Sequence, residues 1–528
     1  MTLTIHPGQC VALVGESGSG KSLTARSLLG LAGRGAVVTA RRFRLHGNNA
    51  LDFREEDWRA MRGKRIGLVL QDALVSLDPL RTVGDEVAEP LLHHRLARPG
   101  HDVRMRVHDV LAAVGMPDPA QRARQHAHQL SGGLRQRALI ASAIAAGPSL
   151  IIADEPTTAL DVTVQAQVLA LLASRVKAGA GLLLISHDLA LVAAVADHVH
   201  VMQRGVVVES GPVADVLHRP AHAYTRRLLA AIPSARSRGR LLSTAEPPMA
   251  GRAWHEALPA RQAAMAEPVL EVTGVTKRYP ARGDAMGFTA LENVSFVLRR
   301  GEVLGIMGES GSGKTTCAKI VLGLLRPDAG AVRFLGAPWS AASEVDRRVL
   351  RPRMQYVPQD ALSSFDPRHR VADIIGENLR GASYSSRSRD AAVARLLEQV
   401  GLDGRLLSRH PRALSGGQRQ RVAIARALAS SPALIVCDEP VSALDVGVQA
   451  QVLDLIAGLQ RRLGTALLFI SHDLGVIEHV SDRVMVVRDG RVVEEGLTET
   501  VFAAPQHDYT RTLLAARPSL ALDLGVAA

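Results

Sequence analysis

Two octapeptides in this 528-residue chain carry the same chemistry. Gly15-Glu16-Ser17-Gly18-Ser19-Gly20-Lys21-Ser22 and Gly308-Glu309-Ser310-Gly311-Ser312-Gly313-Lys314-Thr315 both read G-x-x-x-x-G-K-S/T. Glycines let backbone N–H groups close around phosphate oxygens, and the lysine supplies a point charge. The hydroxyl of Ser22 or Thr315 can ligate Mg²⁺, and a following helix adds its positive end. Thr316 is grouped with the second loop as a further hydroxyl. A lysine-poor composition keeps two of its six lysines at these loops, Lys21 and Lys314; a compact ammonium suits phosphate.

Further pairs of carboxylate, imidazole and amide follow each loop. Asp154-Glu155 and Asp438-Glu439 end apolar runs that read as buried strands. A carboxylate there can hold Mg²⁺ through water, and its neighbour can deprotonate an attacking water. Ser186-His187-Asp188 and Ser471-His472-Asp473 also close apolar strands, which points His187 and His472 to a terminal phosphate. Ser131-Gly132-Gly133 and Ser415-Gly416-Gly417 open strong helical patterns. The serines fit the N-cap role; an anion docked at the helix end accounts for the paired glycines.

The elements that must position these groups are written twice. Gln71-Asp72-Ala73-Leu74 recurs as Gln359-Asp360-Ala361-Leu362, and the other motifs repeat in the same order at a separation of roughly 285 residues. That period is far too long for a solenoid and marks two whole domains in tandem. Apolar strand-like runs alternate with helical patterns, which predicts α/β sheets. The spacing predicts strands over 302–307, 150–153, 434–437, 182–185 and 466–470, and helices over 314–325, 165–176 and 449–463. Between the halves, 233–268 is rich in Ala, Arg and Pro without an apolar period and reads as an irregular linker. The expected domains are 1–235 and 267–528, with 236–266 as the linker.

The hydrophobic content is 47%, but charged residues and glycines interrupt every long apolar run, so no membrane span is expected. No secretion signal is read at the N-terminus. Cys10, Cys317 and Cys437 are scattered and read as buried hydrophobes. The net charge of +12 suits an anionic lipid surface or nucleic acid, or simply a solvated surface.

The order of these motifs, with the Ala-Leu-Asp segments ending in Asp161 and Asp445, resembles the ATP-binding-cassette ATPases. The resemblance implies two P-loop NTPase domains, each with a RecA-like core sheet, an antiparallel β subdomain and a helical signature subdomain. It implies ATP and Mg²⁺ as ligands, with each ATP shared between one half's phosphate loop and the other half's signature. Glu155 and Glu439 are then the hydrolytic bases. Gln71 and Gln359 contact Mg²⁺ and the attacking water, Asp154 and Asp438 serve the metal, and Asp161 and Asp445 bridge the sites. Ser76-Leu77-Asp78-Pro79, Ser364-Phe365-Asp366-Pro367 and the tails Pro220-Ala221-His222-Ala223-Tyr224-Thr225 and Pro505-Gln506-His507-Asp508-Tyr509-Thr510 look like the dipeptide, oligopeptide and nickel importers. In each tail the threonine reads as a helix cap that does not touch substrate.

That narrower resemblance implies two membrane permease subunits as partners, an extracytoplasmic substrate-binding protein, and a place on the cytoplasmic face of the membrane. Peptide is the expected cargo, with nickel or glutathione as alternatives. The rival reading is a soluble twin-cassette factor on ribosomes; no nucleic acid is expected for the importer. The chain departs from the family in three places. Tyr279 matches the adenine-stacking tyrosine, but the first half begins too late to have one, and about 25 residues are missing there by the repeat comparison. Leu134 stands where the family has glutamine. No cysteine cluster follows the tails, so no iron–sulfur centre is expected.

Overall fold

The computed structural model describes residues 1–528 except 72–75, 158–159, 244–266, 281–286, 380–385, 443 and 518–528. Asp72-Ala73-Leu74 of the first glutamine motif and most of the expected linker therefore lie outside the described residues. The chain forms two compact units, one over Met1–Leu229 and one over Ala230–Arg517.

Each unit is built on a six-stranded sheet of the same order. In the first unit the order is Ile66–Val69, Leu150–Asp154, Gly181–Ile185, Cys10–Val14, His198–Gln203, Val206–Pro212. The first five strands are parallel and the last is antiparallel. In the second it is Met354–Val357, Leu434–Asp438, Ala466–Ile470, Val303–Met307, Arg483–Arg488, Arg491–Leu497, with the same pattern. All residues of the central strands Cys10–Val14 and Val303–Met307 are buried. Strands covered on both faces read as continuous apolar runs, as these do. Each buried leucine or isoleucine contributes about 2 kcal/mol.

The expected helices and strands appear with shifted ends. The helix after the second loop stops at Val321 rather than 325, where Gly323, at φ +67°, turns the chain back. The helices after Asp161 and Asp445 begin earlier, at Val162 and Val446, because each aspartate caps its helix. A helical subdomain in each unit leads to the signature helix, Gly132–Ile144 or Gly416–Leu428.

The antiparallel part differs between the units. The second carries a four-stranded sheet including Pro268–Tyr279 and Phe288–Arg299. Among the described residues, the first has only Arg44–Leu45 paired with Asn48–Asn49.

The described beginning of the expected linker is ordered. Residues 230–243 belong to the second unit. Asp454 accepts hydrogen bonds from Leu242 N at 2.8 Å, Ser243 N at 2.7 Å and Ser243 Oγ at 2.6 Å. Ser237 Oγ lies 2.9 Å from His479 Nδ1, and Arg238 pairs with Glu499 at 3.1 Å. By the motif spacing the first half has Ala170, Ala194 and Ala214 where the second has Asp454, His479 and Glu499. Three polar side chains on one half thus receive a segment that composition alone marks as irregular.

Candidate nucleotide site

Both phosphate loops leave the C-terminal end of the central strand and enter a helix, Lys21–Ser27 or Lys314–Val321. The first glycine of each loop has no room for a side chain: a Cβ on Gly15 would stand 2.2 Å from Met202 O, and one on Gly308 2.1 Å from Val487 O. Gly20 and Gly313 cap the helices in the left-handed region, at φ +99° and +105°. Gly18 and Gly311 are also left-handed. Lys21 Nζ donates to Gly15 O at 2.6 Å and Glu16 O at 2.8 Å, and Lys314 Nζ to Gly308 O at 2.7 Å and Glu309 O at 2.6 Å. Ser19 and Ser312 are buried under the loops, while Ser17 and Ser310 are exposed.

The carboxylate pair at the neighbouring strand end splits in two directions. Asp154 Oδ1 accepts from Ser22 Oγ at 3.0 Å. Burial pushes the Asp154 carboxyl above its ordinary range, and the Ser22 hydroxyl opposes this. Burial, with the Glu439 charge, raises Asp438 as well, and Thr315 opposes it in turn. A hydroxyl and a buried carboxylate side by side at a phosphate loop are a donor set that fits a hard divalent cation. Thr316 follows half-buried in the helix.

Glu155 and Glu439 both adopt φ +49°, a conformation uncommon for a residue with a side chain. Their N–H groups still bond to the next strand, at Ile185 O and Ile470 O, both at 2.9 Å. This left-handed step lets the glutamate turn out of the sheet while the aspartate stays in it. Gln71 Nε2 donates to Glu155 Oε2 at 2.7 Å, and Gln359 Nε2 to Glu439 Oε2 at 2.8 Å. The other oxygen faces histidine: Glu155 Oε1 is 3.4 Å from His187 Nδ1, and Glu439 Oε1 is 3.1 Å from His472 Nδ1. Burial alone lowers a histidine, but here the glutamate more than reverses it, so His187 and His472 both lie above their ordinary value. Ser186 and Asp188 build the turn that aims the ring: Ser186 Oγ accepts from Asp188 N at 2.9 Å, and Asp188 Oδ1 accepts from Ala190 N at 2.9 Å. Ser471 and Asp473 repeat this.

The signature corners are exposed, with Ser131 and Ser415 as N-caps. Gln418 closes a capping box onto Ser415 N at 3.0 Å. Leu134 has no such group and instead packs against the first unit's core. The two glycines of each corner differ in the space around them. A Cβ on Gly417 would meet Val448 Cγ1 at 2.3 Å and one on Gly133 would meet Val164 Cγ1 at 3.3 Å, whereas Gly132 has open space. Packing of the signature helix against the next one excludes a side chain at Gly417 and leaves little room for one at Gly133. Asp161 and Asp445 accept from Val164 N at 2.9 Å and Val448 N at 3.0 Å, so within each unit they are helix caps.

Tyr279 stacks on Phe288 with ring centroids 5.2 Å apart. Two residues along the same strand, Ala290 O lies where a Cβ on Gly313 would come within 2.4 Å. The aromatic pair is thus about 7 Å along the strand from the loop, at ~3.4 Å per residue.

The tails are where residue patterns misassigned a role. Thr225 does not cap its helix; it bonds to Glu209. The histidine caps: His222 Nδ1 accepts from Tyr224 N at 3.1 Å and His507 Nδ1 from Tyr509 N at 3.0 Å. The tyrosine hydroxyls reach the phosphate loops, accepting from Glu16 N and Glu309 N, each at 3.0 Å. The signal was the pattern P-x-H-x-Y-T shared by the tails of both halves, which a cap alone does not require.

Comparison with known proteins agrees with these features. The ABC transporter family matches residues 1–158 and 291–442. The family described as the oligopeptide/dipeptide transporter C-terminal region matches 208–253 and 493–525. The chain is 42% identical to the peptidoglycan transport ATP-binding protein YejF of Agrobacterium fabrum, over 98% of this chain and 92% of that protein. It is 41% identical to the oligopeptide transport ATP-binding protein OppD of Mycobacterium tuberculosis, over 97% and 94%. It is 40% identical to the glutathione import ATP-binding protein GsiA of Escherichia coli K12, over 98% and 86%. The solved archaeal ribosome recycling factor aABCE1, in complex with the stalk protein aP1, shares the fold at TM-score 0.60 and 21% identity, over 94% of this chain and 87% of that one. Twin phosphate loops, each facing a glutamate–histidine pair, and these matches along both halves place the chain in the ABC transporter family, as an ATP-hydrolysing protein with two cassettes in one polypeptide.

Proposed function

We propose that this chain energises a peptide importer, each unit binding Mg²⁺–ATP at its phosphate loop and hydrolysing it. One observation carries the reading: a glutamate in a strained backbone conformation is held between Gln359 and His472 beside a phosphate loop, and the arrangement recurs with Gln71, Glu155 and His187. Strain of this kind persists where the surroundings over-determine it, as at active sites.

In this reading Glu439 takes a proton from water as that water's oxygen attacks the γ-phosphorus, and the bond to the bridging oxygen of ADP breaks. Gln359 orients the carboxylate and the water, and His472 contacts the γ-phosphate. Lys314 and the loop N–H groups hold the β and γ phosphates. Thr315 and Asp438 would hold Mg²⁺, which would supply charge neutralisation at those oxygens. Lys21, Ser22, Gln71, Asp154, Glu155 and His187 do the same in the first unit. Tyr279 stacks on adenine in the second. The exposed corners at Ser131 and Ser415 present helix N-termini to an anion.

The partners in this reading are two permease subunits and, outside the membrane, a substrate-binding protein; the chain sits on the cytoplasmic face. Among the described residues no helix is long and apolar enough to cross a membrane. The tail regions and the OppD and GsiA relatives support peptides as cargo, with glutathione within that class. The test is affinity purification of the chain from membranes, followed by peptide uptake in vesicles made with the captured proteins. Hydrophobic permeases and ATP-driven uptake support the reading. Ribosomal RNA in their place would replace it with the ribosome-associated alternative.

A further inference from the structure

We propose that Tyr224 and Tyr509 are positioning residues for ATP binding, setting the phosphate loop through a single loop residue. This rests on the phosphate-loop reading above and adds residues outside every nucleotide motif of the chain.

The geometry is the same in both units. Tyr509 stands in the first turn of the helix Asp508–Ala515, and Tyr224 in that of Ala223–Ala230. Their rings are buried, at 6% and 3% exposure. Each hydroxyl oxygen accepts from the N–H of the second loop residue, Glu309 or Glu16, at 3.0 Å. The carbonyl of that same residue accepts from the loop lysine, at 2.6 Å in the second unit and 2.8 Å in the first. The residue is therefore pinned at its N–H by tyrosine and at its C=O by the ammonium. Any tilt of this stretch of backbone displaces the charge that meets the phosphates.

The rest of the tail motif serves to place that hydroxyl. A glutamate on the antiparallel edge strand receives the chain as it enters the helix. Glu494 accepts from Gln506 N at 2.8 Å and His507 N at 3.1 Å, and Glu209 from Ala221 N at 2.7 Å and His222 N at 3.1 Å. The histidine ring then caps the tyrosine's own N–H. Thr225 ties the helix to the same glutamate. In the second unit Arg488 lies over the Tyr509 ring at 4.8 Å, where the first unit has Gln203. A motif needing only to end a domain has no use for a buried phenol aimed at a loop more than two hundred residues earlier in the first unit.

The test uses the full chain carrying Tyr224→Phe and Tyr509→Phe together, which removes two oxygens and leaves the rings. Mg–ADP affinity is measured by calorimetry, KM and kcat by ATPase assay, and melting without nucleotide. Thr225→Val, in the same motif but off the loop, and a double variant carrying Lys21→Ala and Lys314→Ala are the references. The expected result is about tenfold weaker Mg–ADP binding and a similar rise in KM, from a loop N–H left unmatched, with kcat within about twofold and melting little changed. Unchanged affinity and KM in the tyrosine variant, with the lysine double variant losing nucleotide, overturns the proposal and leaves the loop reading intact. A tyrosine variant that only melts earlier, as expected of Thr225→Val, also overturns it. Nucleotide binding that survives in the lysine double variant as well as in the tyrosine variant would overturn the loop reading itself.

Discussion

Glu439 Oε1 and His472 Nδ1 lie 3.1 Å apart, each perturbing the other's proton. Burial would raise the Glu439 pKa, but His472 and Lys314 pull it below its ordinary 4.5; burial would lower the His472 pKa, but Glu439 lifts it above its ordinary 6.5. A raised histidine contributes stability below its ordinary value and loses it as pH rises through the folded value. A lowered glutamate contributes above its ordinary value and loses it as pH falls through the folded value. The pair therefore stabilises the nucleotide-free protein between those limits. Melting of wild type and Glu439→Gln, compared from about pH 5 to about pH 9, should show a gap that closes on the alkaline side. A gap constant across that range would rule out the ion pair.

Replacing the carboxylate also tests its chemistry. Glu439→Gln keeps the shape and the Gln359 neighbour but cannot take a proton. ATPase kcat should fall by roughly a hundredfold or more in a variant carrying both Glu155→Gln and Glu439→Gln, with nucleotide affinity retained. The two single variants read out each half's share. A wild-type rate in the double variant would remove both residues from the base role.

The signature glycines should separate packing from anion contact. Gly417→Ala forces a methyl group to 2.3 Å from the stiff, branched Val448, so stability should drop by about 1–3 kcal/mol. A Cβ on Gly416 comes no nearer than 3.7 Å to Leu444, so Gly416→Ala should leave thermal unfolding unchanged or slightly raised. Its ATPase rate should nevertheless fall, because the added methyl crowds an exposed helix N-terminus. Denaturant unfolding and steady-state hydrolysis on both variants decide this, and full activity in Gly416→Ala would argue against anion docking at that corner.

Asp454 holds the chain that follows the first cassette. Its two oxygens receive three donors from Leu242 and Ser243. Asp454→Ala leaves those donors without their acceptor, and the unfolding free energy should fall by about 1–3 kcal/mol. The segment carries Arg236, Arg238 and Arg240, so trypsin should cut there sooner in the variant than in wild type. Mass spectrometry of a digestion time course reads this directly. Equal cleavage rates would mean that Asp454 does not anchor the segment.

Much of this protein was legible before any coordinate. Phosphate loops, strand-ending carboxylates and the Ser-His-Asp turns are local patterns, and a doubled pattern leaves little room for accident. Residue types with short spacings specify turns, caps and the apolar runs of buried parallel strands. What remained for the tertiary structure were contacts spanning scores of residues: Gln359 on Glu439, His472 opposite it, Tyr509 on the loop at Glu309, and Asp454 under Ser243. Strand order and register bring those groups together, and neither can be read from a window of sequence. The same holds for Gly417, whose reason is the Val448 side chain on another helix. Chemistry here is a property of short stretches, whereas the alignment of that chemistry depends on how distant stretches pack.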